Sequence, residues 1–300
     1  MSITPVVHRH GWAGPQEAKR AYGLLGANFP HFFIAAQTAP TQGKRVVLWD
    51  ASRKVNGGKH LPTFKQEDSD CVSMGAINVV DYLSCADIVL RKESERYRPS
   101  YQPYVYGISR VQIGGGRLGS SGGSLGIWAA DGLKKYGTLW ADHDGVPPYS
   151  GAVARSWGNS GPPAKFISYA QQFKVGAAAK MDGYASCRDA IVNGYPVTIA
   201  SNRGFLMRGR ADRGKLWGVP SGVWNHQMCL IGVDDDPARP GCYCLNSWGP
   251  DAHGQPLDDA PPGGFWVDAE VVDYICRQDD SWAFSQFSGF PEQKLNLLLI

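Results

Sequence analysis

The first fourteen residues, MSITPVVHRHGWAG, lack an apolar core long enough for a secretory signal. The closing LNLLLI is far too short to cross a bilayer. A charge excess is also missing. The net charge is only +3, so nothing in the total demands nucleic acid or an acidic membrane as a partner. Paired cysteine spacings are absent as well. Seven cysteines is an odd number without a C-x2-C pair, which argues against both a disulfide framework and a zinc ribbon. A reducing compartment, and with it the cytoplasm, is the expected location.

Glycine and proline are plentiful, 37 and 20 in 300 residues, and imply many turns. With 43% hydrophobic residues there is material for one large domain or two packed lobes. Charge is uneven along the chain. Residues 1–60 carry eight Lys/Arg against two acids, while the rest is net negative. Residues 1–45 read as an irregular basic extension that packs on the body and is retained, because FPHFFIAA would be costly to leave in water.

KRVVLWD (44–50) reads as a strand, and apolar residues at 72, 76, 79, 80, 83, 86, 89 and 90 predict a helix beginning at Cys71. Cys85 falls near the same helical face as Cys71 and reads as a buried thiol. A glycine-rich loop (113–126) precedes a further helix. Short helices are expected in FISYAQQFKVG and SCRDAIVNG, and strands in YPVTIASN, NHQMCLIGVD, GCYCLNSWG and GGFWVDAEVV. Helices first and strands later imply an α+β chain in two lobes, residues 46–165 and 166–300.

Three residues suit nucleophilic chemistry. A thiol at a helix N-terminus is favoured as thiolate, provided a base and an orienting group lie nearby. Cys71 has that position, with Ser69 or Asp70 as cap. His226 opens one strand and Asn246 closes another. If the two strands pair with His226 opposite Asn246, then Met228 faces Cys244, Leu230 faces Cys242 and Cys229 faces Tyr243. That register keeps Cys229 apart from Cys242 and Cys244, so all three read as core thiols. Glu67, Asp68 and Asp70 crowd the nucleophile. As exposed, screened acids they would trim the thiolate's margin without removing it.

Gln66, Cys71, Asn225-His226 and Asn246-Ser247-Trp248-Gly249, in that order, resemble the papain-like cysteine peptidases. The match runs in pieces from Trp49 to Asp268. The resemblance implies a helical lobe, a β-barrel-like lobe and an active site in the cleft between them. It makes Cys71 the nucleophile, His226 the general acid/base and Asn246 the orienting residue. Trp248 shields the His–Asn bond, and Gln66 with the Cys71 N–H forms the oxyanion hole. Gly122-Gly123 present backbone to an extended substrate, with the Asn225 carbonyl opposite. The chain departs from the family pattern in Asp68-Ser69-Asp70-Cys71-Val72, and in a five-residue step from Gln66 to Cys71. The implied reaction is hydrolysis of a peptide or protein substrate through a thioester, with no cofactor, metal, nucleic acid or membrane. Two alternatives stand beside it. One is an inactive papain-fold binding module, for instance phage-associated; the other is a thiol amidase acting on a non-peptide or cell-wall amide.

Other motifs fit less well. GGGRLG (114–119) lacks the preceding strand and the acid that a dinucleotide site needs. DHD (142–144) and DDD (234–236) read as solvated turns, and Trp12, Trp140, Trp217 and Trp224 as packing or cleft-wall residues.

Overall fold

A computed structural model of the chain describes residues 10–32, 41–91, 96–287. LNLLLI and the second half of FPHFFIAA lie outside the described residues. In chain order the helices are α1 (Pro15–Leu25), α2 (Trp49–Val55), α3 (Cys71–Arg91), α4 (Gln102–Gly107), α5 (Gly126–Tyr136), α6 (Gly151–Ser160), α7 (Ala164–Ala170), α8 (Tyr184–Val192) and α9 (Ala269–Cys276). The strands are β1 (Arg45–Val47), β2 (Val175–Lys180), β3 (Val197–Phe205), β4 (Arg210–Asp212), β5 (Lys215–Trp217), β6 (Pro220–Asp234), β7 (Gly241–Leu245), β8 (Gly264–Asp268) and β9 (Trp282–Phe287).

Helix α3 is the core of the helical side. Its apolar stripe was expected to face one way, yet Ser73, Asn78, Asp81, Ser84 and Asp87 are buried with it. A helix buried all round needs partners for its polar residues. Asp81 accepts the Ser100 N–H at 3.0 Å and the Tyr97 hydroxyl at 3.1 Å, and Ser84 donates to the Val80 carbonyl. By length and composition Cys71–Val89 would pass as a membrane span, but 89% of that window is buried inside the protein.

The sheet runs β2-β9-β3-β6-β7-β8-β5-β4, with β1 pairing on β6. Neighbours are antiparallel except β5 and β8. Strand β6 is the central element, and its 15 residues change character at His226. Residues 220–225 are largely open, whereas 226–233 are buried. Gly75 of α3 lets β6 come close, since a Cβ there would stand 3.1 Å from Gln227 Cγ and 3.2 Å from the Met228 carbonyl. The start of α3 is thereby set against His226-Gln227.

The expected β6–β7 register is wrong. Leu230 pairs with Cys244 and Cys229 with Leu245; beyond a bulge, Gly232 pairs with Tyr243 and Val233 with Cys242. The turn is longer than supposed, closing at Asp234 and Gly241 around Pro237 and Pro240. Near the site the slip is two residues, and an even slip leaves every side chain on its face. Cys244 therefore still meets Met228, with Sγ–Sδ 3.6 Å. His226 pairs in the sheet with Ser201 of β3, not with Asn246.

Several local expectations also change. Residues 15–25, read as irregular, form α1, with Gly14 at the N-cap, Pro15 in the first turn, and Ala18 and Ala21 buried. KRVVLWD is strand only to Val47, and α2 starts at Trp49. The Ala-Glu-Val-Val after β8 is helical. The glycine-rich loop follows a π-helical turn (Ile108–Ile113), not a strand, so no dinucleotide-binding unit precedes it. Helix α7 crosses residue 165, where the two lobes were divided.

Candidate active site

Cys71 is the first residue of α3 and fully buried. Its Sγ accepts the Gln227 backbone N–H at 3.4 Å, while the Gln227 side chain donates to the Val72 carbonyl at 3.0 Å. This double grip holds the thiol beside the His226–Gln227 peptide. His226 Nε2 lies 2.8 Å from Asn246 Oδ1. The two residues are diagonal neighbours across β6 and the end of β7, which is within reach of a ring and an amide. Trp248 covers them, its ring 4.7 Å from the His226 ring. Ser247 ties the far side, its hydroxyl donating to Gln66 Oε1 at 2.7 Å. Gln66 Nε2 donates to the Asp68 carbonyl at 2.9 Å.

The acidic cluster is not a solvated patch. Asp68 is buried, with its Oδ2 accepting from Arg155 at 2.9 Å and its Oδ1 from the Ser69 N–H. Glu67 accepts the Gly151 N–H at the start of α6. Asp70 is fully buried, and its Oδ2 accepts the Tyr149 hydroxyl at 3.0 Å. These acids fasten the 149–155 segment to the loop before Cys71; the expectation of screened surface charges fails for the buried Asp68 and Asp70, whereas Glu67 is exposed. Burial pushes the Asp70 carboxyl up to about 7, against the pull of the Tyr149 hydroxyl. Burial likewise pushes the Cys71 thiol up to about 12; the Gln227 and Gly11 N–H groups oppose the rise and Asp70 adds to it. This direction opposes the thiolate that the helix N-terminus was expected to favour.

Residues 10–13 lie along the cleft. The N–H groups of Gly11 and Trp12 donate to the Asn225 carbonyl at 3.2 and 3.0 Å. Ser124 donates to the Gly11 carbonyl at 2.7 Å and accepts the Ala13 N–H at 2.9 Å. The His10 ring stands 6.0 Å from that of His226 and 5.8 Å from that of Trp248. The Trp12 indole is buried and donates to Asp280 at 2.7 Å. The Asn225 carbonyl thus meets an extended segment of this same chain, and the opposite edge is Ser124. Both backbone groups of Gly123 are engaged elsewhere, its N–H with the Tyr106 hydroxyl and its carbonyl with Arg110. Gly122 and Gly123 instead provide room. A Cβ at Gly122 would press on the Ser69 side chain, and one at Gly123 would stand 2.8 Å from the Gly11 carbonyl.

Sequence reading missed Ser124, Tyr149, the course of residues 10–13 past Asn225 and His253, whose Nε2 lies 2.8 Å from Asn246 Nδ2. No local pattern marks any of them. It also missed that Cys187 and Cys276, 89 positions apart, bring their sulfurs to 3.7 Å. All seven cysteines are buried and free. DHD and DDD are held by cations, with Asp142 on Arg98, Asp234 on Lys215 and Asp236 near Arg213.

No family model and no curated protein matches the chain. Solved structures do. Xylellain, a cysteine protease from Xylella fastidiosa, aligns with TM-score 0.57 at 15% identity, over 86% of this chain and 91% of its own. Digestive procathepsin L 3 of the Tenebrio molitor larval midgut aligns with TM-score 0.56 at 15% identity, over 86% and 73%. ProCathepsin B S9 from Trypanosoma congolense gives 0.57 at 12%, over 92% and 85%. The fold is that of the papain-like cysteine proteases, an α+β architecture.

Proposed function

We propose that this chain is a cysteine peptidase that cleaves peptide bonds through a thioester on Cys71, and that it is latent while residues 10–13 fill the cleft. The carrying observation is the setting of His226. Its Nε2 is committed to Asn246 Oδ1, which leaves Nδ1 as the basic ring atom beside the peptide that grips Cys71. In this reading Nδ1 takes the thiol proton and the sulfur attacks the substrate carbonyl carbon. The oxyanion is held by the Cys71 N–H, with Gln66 Nε2 swinging from Asp68 to join it. The imidazolium then protonates the departing amine, and water, deprotonated by the same ring, hydrolyses the thioester. A substrate must first displace residues 10–13, because they use the same Asn225 carbonyl. The engaged Gln66 amide is the one observation that favours the inactive-module reading.

Two measurements decide between these readings. A peptidyl epoxide should label Cys71, identified by peptide mapping, once the cleft is opened as described below. Hydrolysis of casein by that opened protein should fall about 10⁴-fold or more in Cys71→Ala and His226→Ala. Equal hydrolysis with and without the Cys71 thiol would refute the proposal.

A further inference from the structure

A second buried histidine touches the catalytic asparagine from behind. His253 follows the Asn-Ser-Trp-Gly stretch, is only 2% exposed, and holds a left-handed backbone at φ 67°. Histidine adopts that region at some cost, and such residues cluster where geometry is constrained. Its ring packs against Phe265 at 4.6 Å and nearly parallel to Trp248 at 5.8 Å. Its backbone carbonyl accepts the Gly209 N–H at 3.1 Å.

The proton positions follow from donors that have no choice. The Ser247 backbone N–H can only donate, and it lies 2.7 Å from one atom of the Asn246 amide. That atom must be Oδ1, since a flipped amide would set donor against donor. The other atom is therefore Nδ2, which can only donate, and it points at His253 Nε2 across 2.8 Å. His253 Nε2 must accept, so its ring is neutral with the proton on Nδ1. On the front side Oδ1 accepts from His226 Nε2 at 2.8 Å, so His226 carries its proton on Nε2. A single chain of bonds thus fixes which nitrogen of His226 is basic.

We propose that His253 is a positioning residue for the Cys71–His226 pair. The Ser247 N–H decides which amide atom is Oδ1; His253, by accepting the Asn246 N–H, holds that amide in place so that Oδ1 meets His226 Nε2. This rests on the reading of Cys71 and His226 as catalytic, but its key test needs no turnover.

Ring nitrogen shifts of ¹⁵N-histidine-labelled full-length protein report each tautomer directly. The expected result is Nδ1–H for His253 and Nε2–H for His226. In His253→Leu the Ser247 N–H still holds Oδ1, so His226 should keep its Nε2–H form, but the loosened amide should weaken that bond and move the His226 Nε2 resonance. In His253→Gln a side-chain carbonyl reaches the same place and should restore the resonance. Alkylation of Cys71 by iodoacetamide, measured in the full chain with the cleft opened, should slow about 3- to 10-fold in His253→Leu, the worth of one neutral hydrogen bond. It should recover in His253→Gln. In an Asn246→Ala background, His253→Leu should cost nothing further, since its effect passes through that amide. A proton on His253 Nε2 in the unaltered protein would overturn the proposal. So would an unchanged His226 Nε2 resonance in a folded His253→Leu protein, or an undiminished loss without Asn246. If the chain hydrolyses no substrate, the peptidase assignment falls, and the tautomer result still decides the role of His253.

Discussion

The two walls of the cleft treat charge in opposite ways. The α3 wall buries carboxyls, with Asp70 and Asp81 both pushed up to about 7 by burial, and burial pushes the Cys71 thiol up to about 12. The sheet wall presents a chain of neutral donors and acceptors from His253 through Asn246 to His226. Burial is the first cause of the raised thiol, and residues 10–13 bond the Asn225 carbonyl close to it. In the proposed peptidase, latency would therefore lie on the side of Cys71.

The sharpest way to break the contrast is to expel residues 10–13 without touching the body. Gly11 crosses so close to the nucleophile loop that a Cβ there would overlap the Ser69 carbonyl oxygen. Gly11→Ala should release the segment, solvate Cys71 and return the thiol toward its ordinary range. Alkylation at pH 8 should accelerate roughly 10²- to 10³-fold, followed by mass spectrometry of the Cys71 peptide. An unaltered rate would mean that the thiol is closed by something other than this segment.

A second effect concerns stability. A carboxyl whose native pKa is raised binds a proton more tightly in the folded state. Below about pH 4 both states are protonated and the group is neutral in its effect. As pH rises toward 7 the unfolded chain ionises first, and stability is lost until the native group ionises too. Asp81 should follow this course, and Asp81→Asn, which keeps an acceptor for the Ser100 N–H, should remove it. The variant should gain stability on the order of 3 kcal/mol at pH 7 relative to its difference at pH 4. Urea unfolding at the two pH values measures this. Parallel pH dependence in both proteins would show that Asp81 ionises as freely folded as unfolded.

The smallest effect tests whether Asp70 acts on the thiol at all. With the cleft opened by Gly11→Ala, Asp70→Ser should lower the alkylation pKa of Cys71 by a few tenths to one unit. An unchanged or higher value would confine Asp70 to holding Tyr149 and the 149–155 segment.

Much of this was legible in the residues. The run from Cys71 has a helical period and became α3, and Asn225-His226 and Asn246-Ser247-Trp248 ended beside it. The strand register was misread because His226 was set directly opposite Asn246, whereas the two are diagonal neighbours and β6 carries a bulge. The site survived that error because a two-residue slip leaves side chains on their faces.

The local elements and the order of the chemical groups follow from the residues alone, since periodicity, caps and turn residues act between near neighbours. Which acids are buried, which residue lies across the thiol and which histidine backs Asn246 depend on the folded chain. Gly11 meets Ser69, and Trp12 meets Asp280 from 268 positions away. Asp68 and Asp70 read as surface charges until Arg155 and Tyr149 close over them. Burial and proton placement depend on such distant partners, and one-dimensional spacing carries no record of them.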